Sequence, residues 1–193
     1  MDRRVYRTDL WHRAFLLSAI LSVPPRANPG RKRIQAAGSI TNDYERGILM
    51  KTPFTGGCIC GAIRYECSAA PIAMGNCHCR DCQKATGTAF AAAILVPRNA
   101  VAITGEVKYY DVTGDSGQII SRGFCPNCGS RLFGKRAVAD FLSIMAGSLD
   151  EPSGFRPAMD FYTASAQPWD YMNPDLPKFP QSPPPSALIS NWL

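Results

Sequence analysis

Seven of the eight cysteines fall into three tight clusters: Cys58 and Cys60, then Cys77, Cys79 and Cys82, then Cys125 and Cys128. A disulfide between the near neighbours of a Cys-x-Cys pair would strain its dihedral and Cα spacing. Short paired spacings that converge from distant parts of a chain point instead to metal. The clusters divide as four plus three. Four thiolates close a tetrahedral zinc site, whereas three leave one coordination position free. A closed site holds a fold together and an open one can do chemistry. Thiol-rich metal sites also favour a reducing compartment, so the cytoplasm is the expected location.

At 193 residues, with 46% hydrophobic and 19% charged side chains, the chain is long enough to bury a core as one domain. The net charge of +6 invites a nucleic-acid reading, but its distribution argues against one. Residues 1–49 carry nine Lys/Arg against four acids, while the other 144 residues carry twelve against eleven. A nucleic-acid-binding body carries its own basic patch; here the excess belongs to the N-terminal segment. That segment also holds one apolar run, residues 14–23, ended by Pro24 and Pro25. The run is shorter than the ~20 apolar residues that span a bilayer. A charged start followed by an apolar core resembles a weak secretory signal, yet no convincing cleavage site follows. Residues 1–49 are therefore expected to be a disordered or non-native extension, with Met50 opening a folded domain over 50–193. No membrane partner is expected.

From Gly56 onward the pattern is one of short strands and tight turns. Residues 62–67 (AIRYEC) alternate apolar and polar side chains, as a half-buried strand does. Residues 90–96 form a continuous apolar run ended by Pro97. Residues 101–105, 107–112, 118–124, 131–133 and 141–145 read as further strands. Only 79–85 suits a short helical turn, with Cys79 and Cys82 on one face. The fold class expected is mainly β. Past Asp150 the chain is rich in Pro and aromatics and is expected to wrap over the sheet, burying Phe155, Phe161, Tyr162, Trp169, Tyr171 and Phe179. A Pro-rich tail follows from about 180.

The first and third clusters lie 64 residues apart, and both sit on Gly-rich turns: Gly56, Gly57 and Gly61 flank the first and Gly129 closes the second. Such turns aim backbone amides at a thiolate, the geometry of zinc knuckles. Together Cys58, Cys60, Cys125 and Cys128 make a closed, structural zinc site whose binding free energy is folding free energy. The middle cluster packs three ligands into six residues and has no fourth of its own. His78 lies between two ligands, and its side chain should point away from them. Position alone leaves Cys67 either a fourth ligand or an ordinary packed cysteine. Without it, the open position would take water or a substrate thiol and hold it as thiolate near neutral pH.

These residues carry a resemblance. GGCICGAIRY over 56–65, NCHCRDCQKATG over 76–87 and FCPNCGS over 124–130 are similar, in order and spacing, to the glutathione-dependent formaldehyde-activating enzyme family, which includes centromere protein V. The similarity runs from about Thr55 to Phe179. It implies a β-tent of small antiparallel sheets and two zinc ions. Cys58, Cys60, Cys125 and Cys128 would hold the structural ion, and Cys77, Cys79 and Cys82 a second, accessible and catalytic one, with Cys67 not a ligand. It further implies a carbon–sulfur lyase that joins the glutathione thiol to formaldehyde, or to a related small electrophile. A non-catalytic zinc module that serves as an interaction scaffold is the alternative. Arg80 and Lys84 lie where they could meet glutathione carboxylates. One departure touches the substrate pocket: many relatives carry a His where this chain has Asp160, Phe161 and Tyr162.

Overall fold

The alternation read from the sequence becomes eleven strands and one short α-helix among the residues described. The computed structural model describes residues 50–187 apart from 116 and 185, and the expected N-terminal extension lies outside them. In chain order these elements are β1 (Phe54–Gly57), β2 (Arg64–Cys67), β3 (Ala73–Cys77), α1 (Arg80–Thr86), β4 (Ala91–Pro97), β5 (Val101–Thr104), β6 (Lys108–Thr113), β7 (Ile119–Phe124), β8 (Arg131–Arg136), β9 (Phe141–Met145), β10 (Asp160–Phe161) and β11 (Lys178–Phe179). They form a three-stranded sheet in the order β1-β2-β5 and an eight-stranded sheet in the order β11-β10-β3-β4-β9-β8-β7-β6. The mainly β class is borne out. The larger sheet is wider than the resemblance implies, and its β3–β10–β11 edge pairs parallel. No helix among the described residues is long and apolar enough to cross a membrane.

The core lies between the two sheets. β2 buries Tyr65 and Cys67 and exposes Arg64 and Glu66, the period-2 pattern of a half-buried strand. Ile94, Phe133 and Ile144 of the larger sheet are fully buried, and cross-strand pairing sets Ile144 opposite both Ile94 and Phe133. Tyr65 meets Phe133 edge to face, centroids 5.4 Å apart at 70°, an arrangement worth about 0.5–1.5 kcal/mol beyond its buried area. The Tyr65 hydroxyl lies 2.9 Å from the Ser148 hydroxyl, which donates to the Met145 carbonyl at 2.7 Å. Backbone passes close there: a Cβ on Gly56 would stand 2.4 Å from the Ser148 carbonyl oxygen, so only glycine fits. On the surface Arg64 pairs with Asp150, whose carboxyl the guanidinium holds below the usual carboxylate range.

Four strands escaped the sequence reading: β1, β3, and the two-residue β10 and β11 of a late segment expected to wrap without regular secondary structure. β1 (FTGG) and β3 (AMGNC) carry Gly and Asn, which are depleted in strands, and partners on both sheets impose their conformation. Residues 62 and 63, read as strand, belong instead to the first cysteine turn, where the Cys58 amide donates to the Ile63 carbonyl at 3.0 Å. The segment past Asp150 wraps as expected, but it does not bury all its aromatics. Trp169 and Tyr171 are 69% and 88% exposed. Phe133→Ala should cost about 3–5 kcal/mol in chemical denaturation, from lost burial plus the cavity left behind.

Candidate metal centres and active site

The first and third cysteine clusters converge. Cys58 and Cys60 lie in the β1–β2 turn, and Cys125 and Cys128 lie in the β7–β8 turn. The four Sγ atoms all fall within 4.8 Å of one another. Cys58 and Cys60 are 3.5 Å apart, and Cys60 and Cys125 are 3.8 Å apart. Tetrahedral zinc with Zn–S of about 2.3 Å sets sulfurs about 3.8 Å from each other, so the donor set fits that ion. Both turns close on glycines with positive φ, Gly61 at 78° and Gly129 at 72°. The Ile63 amide donates to the Cys58 sulfur at 3.2 Å, and the Ser130 hydroxyl lies 3.2 Å from Cys128. Burial works to raise the Cys58 thiol, but the Ile63 amide and neighbouring thiols outweigh it and leave it lowered. The Ser130 hydroxyl helps bring Cys128 down to about 5. The surroundings therefore favour the thiolate, the form that binds metal, at Cys58 and Cys128, whereas burial pushes Cys125 up to about 11.

The middle cluster is built from three different positions. Cys77 ends β3, Cys79 caps α1 and Cys82 lies in its first turn. Cys79 has extended backbone, and its sulfur accepts the Cys82 amide at 3.3 Å, as an N-cap side chain does. Hydrogen bonds from the Cys77 and Cys82 thiols hold the Cys79 sulfur far below the ordinary thiol range, while the same sharing pushes Cys77 up. Three sulfurs lie within 4.8 Å of one another, and no fourth His, Cys, Asp or Glu joins them among the described residues. Either cluster could hold a metal ion, and an all-thiolate donor set suits zinc.

His78 turns away from the sulfurs, as expected from its place between them. Its ring is 1% exposed, with Nδ1 2.9 Å from Asp170 Oδ2 and Nε2 3.4 Å from Asp160 Oδ1. Asp160 also accepts from Asn76 Nδ2 at 2.9 Å. Gln83 donates to the carbonyls of His78 at 2.6 Å and Ser165 at 2.9 Å. These contacts bolt the cysteine turn to the late segment. Sequence reasoning missed Asp160, Asp170 and Gln83 as its partners: the two aspartates reach His78 from the distant late segment, and Gln83 reaches its carbonyl from within α1.

The three cysteines line one end of a cavity of about 440 Å³. Its floor is the face of the larger sheet opposite the core, where Ala91, Ala93, Gly134 and Ser143 leave room. Arg122, Arg131, Lys135 and Arg136 line it as well. Arg122 is buried and donates to Asp81 at 3.2 Å. Burial, aided by the positive charge of Arg122, pushes the Arg131 guanidinium down to about 10, so it stays charged at neutral pH. Of the two cations singled out in the sequence, Arg80 lines the cavity and bonds Gln83, whereas Lys84 lies on the exposed side of α1 outside it. The four cations from β7 and β8 were invisible in the sequence; only strand register brings them to this face. Tyr162 also lines the cavity. Its phenol is held above the ordinary value by burial, with Arg136 acting the other way and Cys77, Cys79 and Asp115 adding to the rise.

Cys67 joins neither cluster. It is fully buried in the core, and its thiol points to the Ala69 carbonyl at 3.4 Å. The structure thus places it as a packed cysteine. Cys67→Ser should lower stability by about 1–3 kcal/mol through a buried hydroxyl with poor partners. Metal content, measured by elemental analysis, should stay unchanged.

Comparison with known proteins agrees with this geometry. The sequence model of the family described as "Glutathione-dependent formaldehyde-activating enzyme" matches residues 53–165. A Penicillium rubens protein named "Putative glutathione-dependent formaldehyde-activating enzyme" is 34% identical over 87 residues, covering 42% of this chain and 45% of its own. Proteins of the same name from Colletotrichum graminicola and Fusarium vanettenii are 28% and 32% identical over 100 and 85 residues. They cover 47% and 39% of this chain, and 50% and 45% of their own. The chain spans about half the length of the curated relatives it matches. The family match takes in both cysteine groups and most of the cavity, and the chain belongs to the glutathione-dependent formaldehyde-activating enzyme family.

Proposed function

We propose that this protein is a zinc-dependent carbon–sulfur lyase that joins the thiol of glutathione to formaldehyde, giving S-hydroxymethylglutathione, and catalyses the reverse cleavage. The observation that carries this reading is the placement of three thiols at the wall of a cavity whose other walls present cations. On this reading Cys58, Cys60, Cys125 and Cys128 hold a structural zinc within a domain that begins near Met50. Cys77, Cys79 and Cys82 hold a second zinc. Bound there, that ion would supply stabilisation of a thiolate at neutral pH.

The chain's own residues do the rest. Arg122, Arg131, Lys135 and Arg136 attract the carboxylates of the tripeptide, and a charge-assisted pair of this kind is roughly twice as strong as a neutral one. The small-residue floor gives the peptide room. His78, Asp160 and Gln83 fix the cysteine turn, so the thiols hold their positions as substrate enters. The sulfur adds to the carbonyl carbon, the carbon–oxygen π bond opens onto oxygen, and the proton released by the thiol ends on that oxygen. Holding two small reactants together removes much of the entropic cost of their meeting. The abundance of free thiols fits a reducing, cytoplasmic setting.

Carbon-13 exchange spectroscopy of labelled formaldehyde with glutathione tests the reaction. Zinc-loaded protein should accelerate exchange, and an unchanged rate would sink the assignment. Metal content should fall from two ions per chain to one in Cys79→Ser. In cobalt-substituted protein the thiolate charge-transfer bands should move on adding glutathione. Arg136→Met should raise KM for glutathione about tenfold, the worth of one hydrogen bond to a charged group, while leaving kcat close to wild type.

A further inference from the structure

Tyr162 has a backbone that its side chain does not favour. It stands at φ 58° and ψ 35°, and it is the one non-glycine with positive φ among the described residues. For a bulky side chain that region is an outlier. Such strain persists only where the surroundings over-determine it, and it gathers at functional sites. Here the surroundings do so: the Tyr162 amide donates to the Gln181 carbonyl at 3.0 Å, and the Ser165 amide donates to the Tyr162 carbonyl at 3.0 Å. The late segment is thereby held in a conformation that sets this ring on the cavity wall shared by Cys77 and Cys79. The ring packs 6.1 Å from Phe161, whose backbone pairs with Cys77.

The hydroxyl has no hydrogen-bond partner among the described residues. It shares the cavity lining with Cys77, Cys79, Asp115 and Arg136, and a tyrosine phenol is neutral at physiological pH. No histidine among the described residues lines the cavity, because His78 is turned into the Asp160–Asp170 pair. A neutral donor with a free proton, near the thiols and held by a strained backbone, suits an oxygen that gains charge during reaction.

We propose that the Tyr162 hydroxyl is a catalytic hydrogen-bond donor that holds the carbonyl oxygen of the aldehyde while the thiol sulfur adds to its carbon. This rests on the thiol-adduct reading above. As the carbon–sulfur bond forms, the π electron pair moves to oxygen and Tyr162 donates to it. The proton that the thiol gave up returns through solvent, so the product is a neutral hydroxymethyl thioether. In the reverse direction the hydroxymethyl oxygen gives its proton to solvent, Tyr162 donates to the resulting alkoxide, and the carbon–sulfur bond breaks onto sulfur as the carbonyl forms.

Tyr162→Phe keeps the ring and removes only the donor. It should lower kcat for the formaldehyde–glutathione exchange about 100-fold, the usual effect of losing one such donor, with KM for glutathione within about twofold. A binding measurement gives a readout apart from turnover. By calorimetry, wild type should prefer S-(2-hydroxyethyl)glutathione over its isostere S-propylglutathione about fivefold, and Tyr162→Phe should bind the two equally. Tyr110→Phe, on the exposed side of β6, should match wild type in both. An active wild type whose Tyr162→Phe variant keeps kcat within about threefold, or keeps the preference, overturns the Tyr162 assignment alone. A wild type with no exchange activity overturns the reaction reading and this assignment with it.

Discussion

Four sulfur atoms gathered within 4.8 Å cannot all be thiolates unless something positive lies among them. Two unit charges 4 Å apart repel by about 4 kcal/mol at the effective dielectric of a protein surface, and this cluster holds several such pairs. The rest of the fold hangs on how that repulsion is met. One pair of sulfurs comes from the hairpin of the small sheet and the other from a hairpin in the large one. Wherever the four are held, the two sheets are held, and the core of Tyr65, Phe133 and Ile144 is closed between them. Amide and hydroxyl donors at Cys58 and Cys128 carry part of the burden, and a cation would carry the remainder.

The large sheet serves two purposes through its two faces. One face presents Ile94, Ile144 and Phe133 to the core, and the pleat turns the alternate positions toward the cavity. On that second face the residues are small at the centre and cationic toward β7 and β8. The chain thus builds a rigid floor and a charged rim from the same strands. Side chains on strands are placed more precisely than side chains on loops, which suits a site that must align two small reactants.

Legibility in the sequence followed locality. The cysteine clusters could be read because each is compact and its chemistry is set by spacing, and the division into four and three reappears as two separate groups of sulfurs. β2, β4 and β9 could be read because alternation or a continuous apolar run is a local signal. β1 and β3 could not, since their Gly and Asn carry no strand preference and partners from elsewhere impose the pairing. The cationic rim was hidden for a related reason: Arg122, Lys135 and Arg136 look like ordinary surface charges until the register of β7 and β8 sets them on one face. Cys67 was open from position alone, and its burial against the Ala69 carbonyl decides it. The exposed Trp169 and Tyr171 show the opposite error, an apolar composition taken for burial.

The parallel pairing of β10 with β3 has a consequence for the order in which this molecule can be assembled. Asn76 and Asp160 are partners across 84 positions of sequence, so the cysteine turn is made early in the chain and braced late. Long-range pairings of this sort slow folding, because the intervening loop must close before the contact returns anything. During synthesis the three thiols would emerge well before His78 finds its aspartates or Tyr162 reaches the cavity wall. An exposed, unbraced trio of thiols is the most oxidation-prone form of this site. Arrival of the segment that carries Asp160 and Asp170 therefore marks the point at which the site takes its shape.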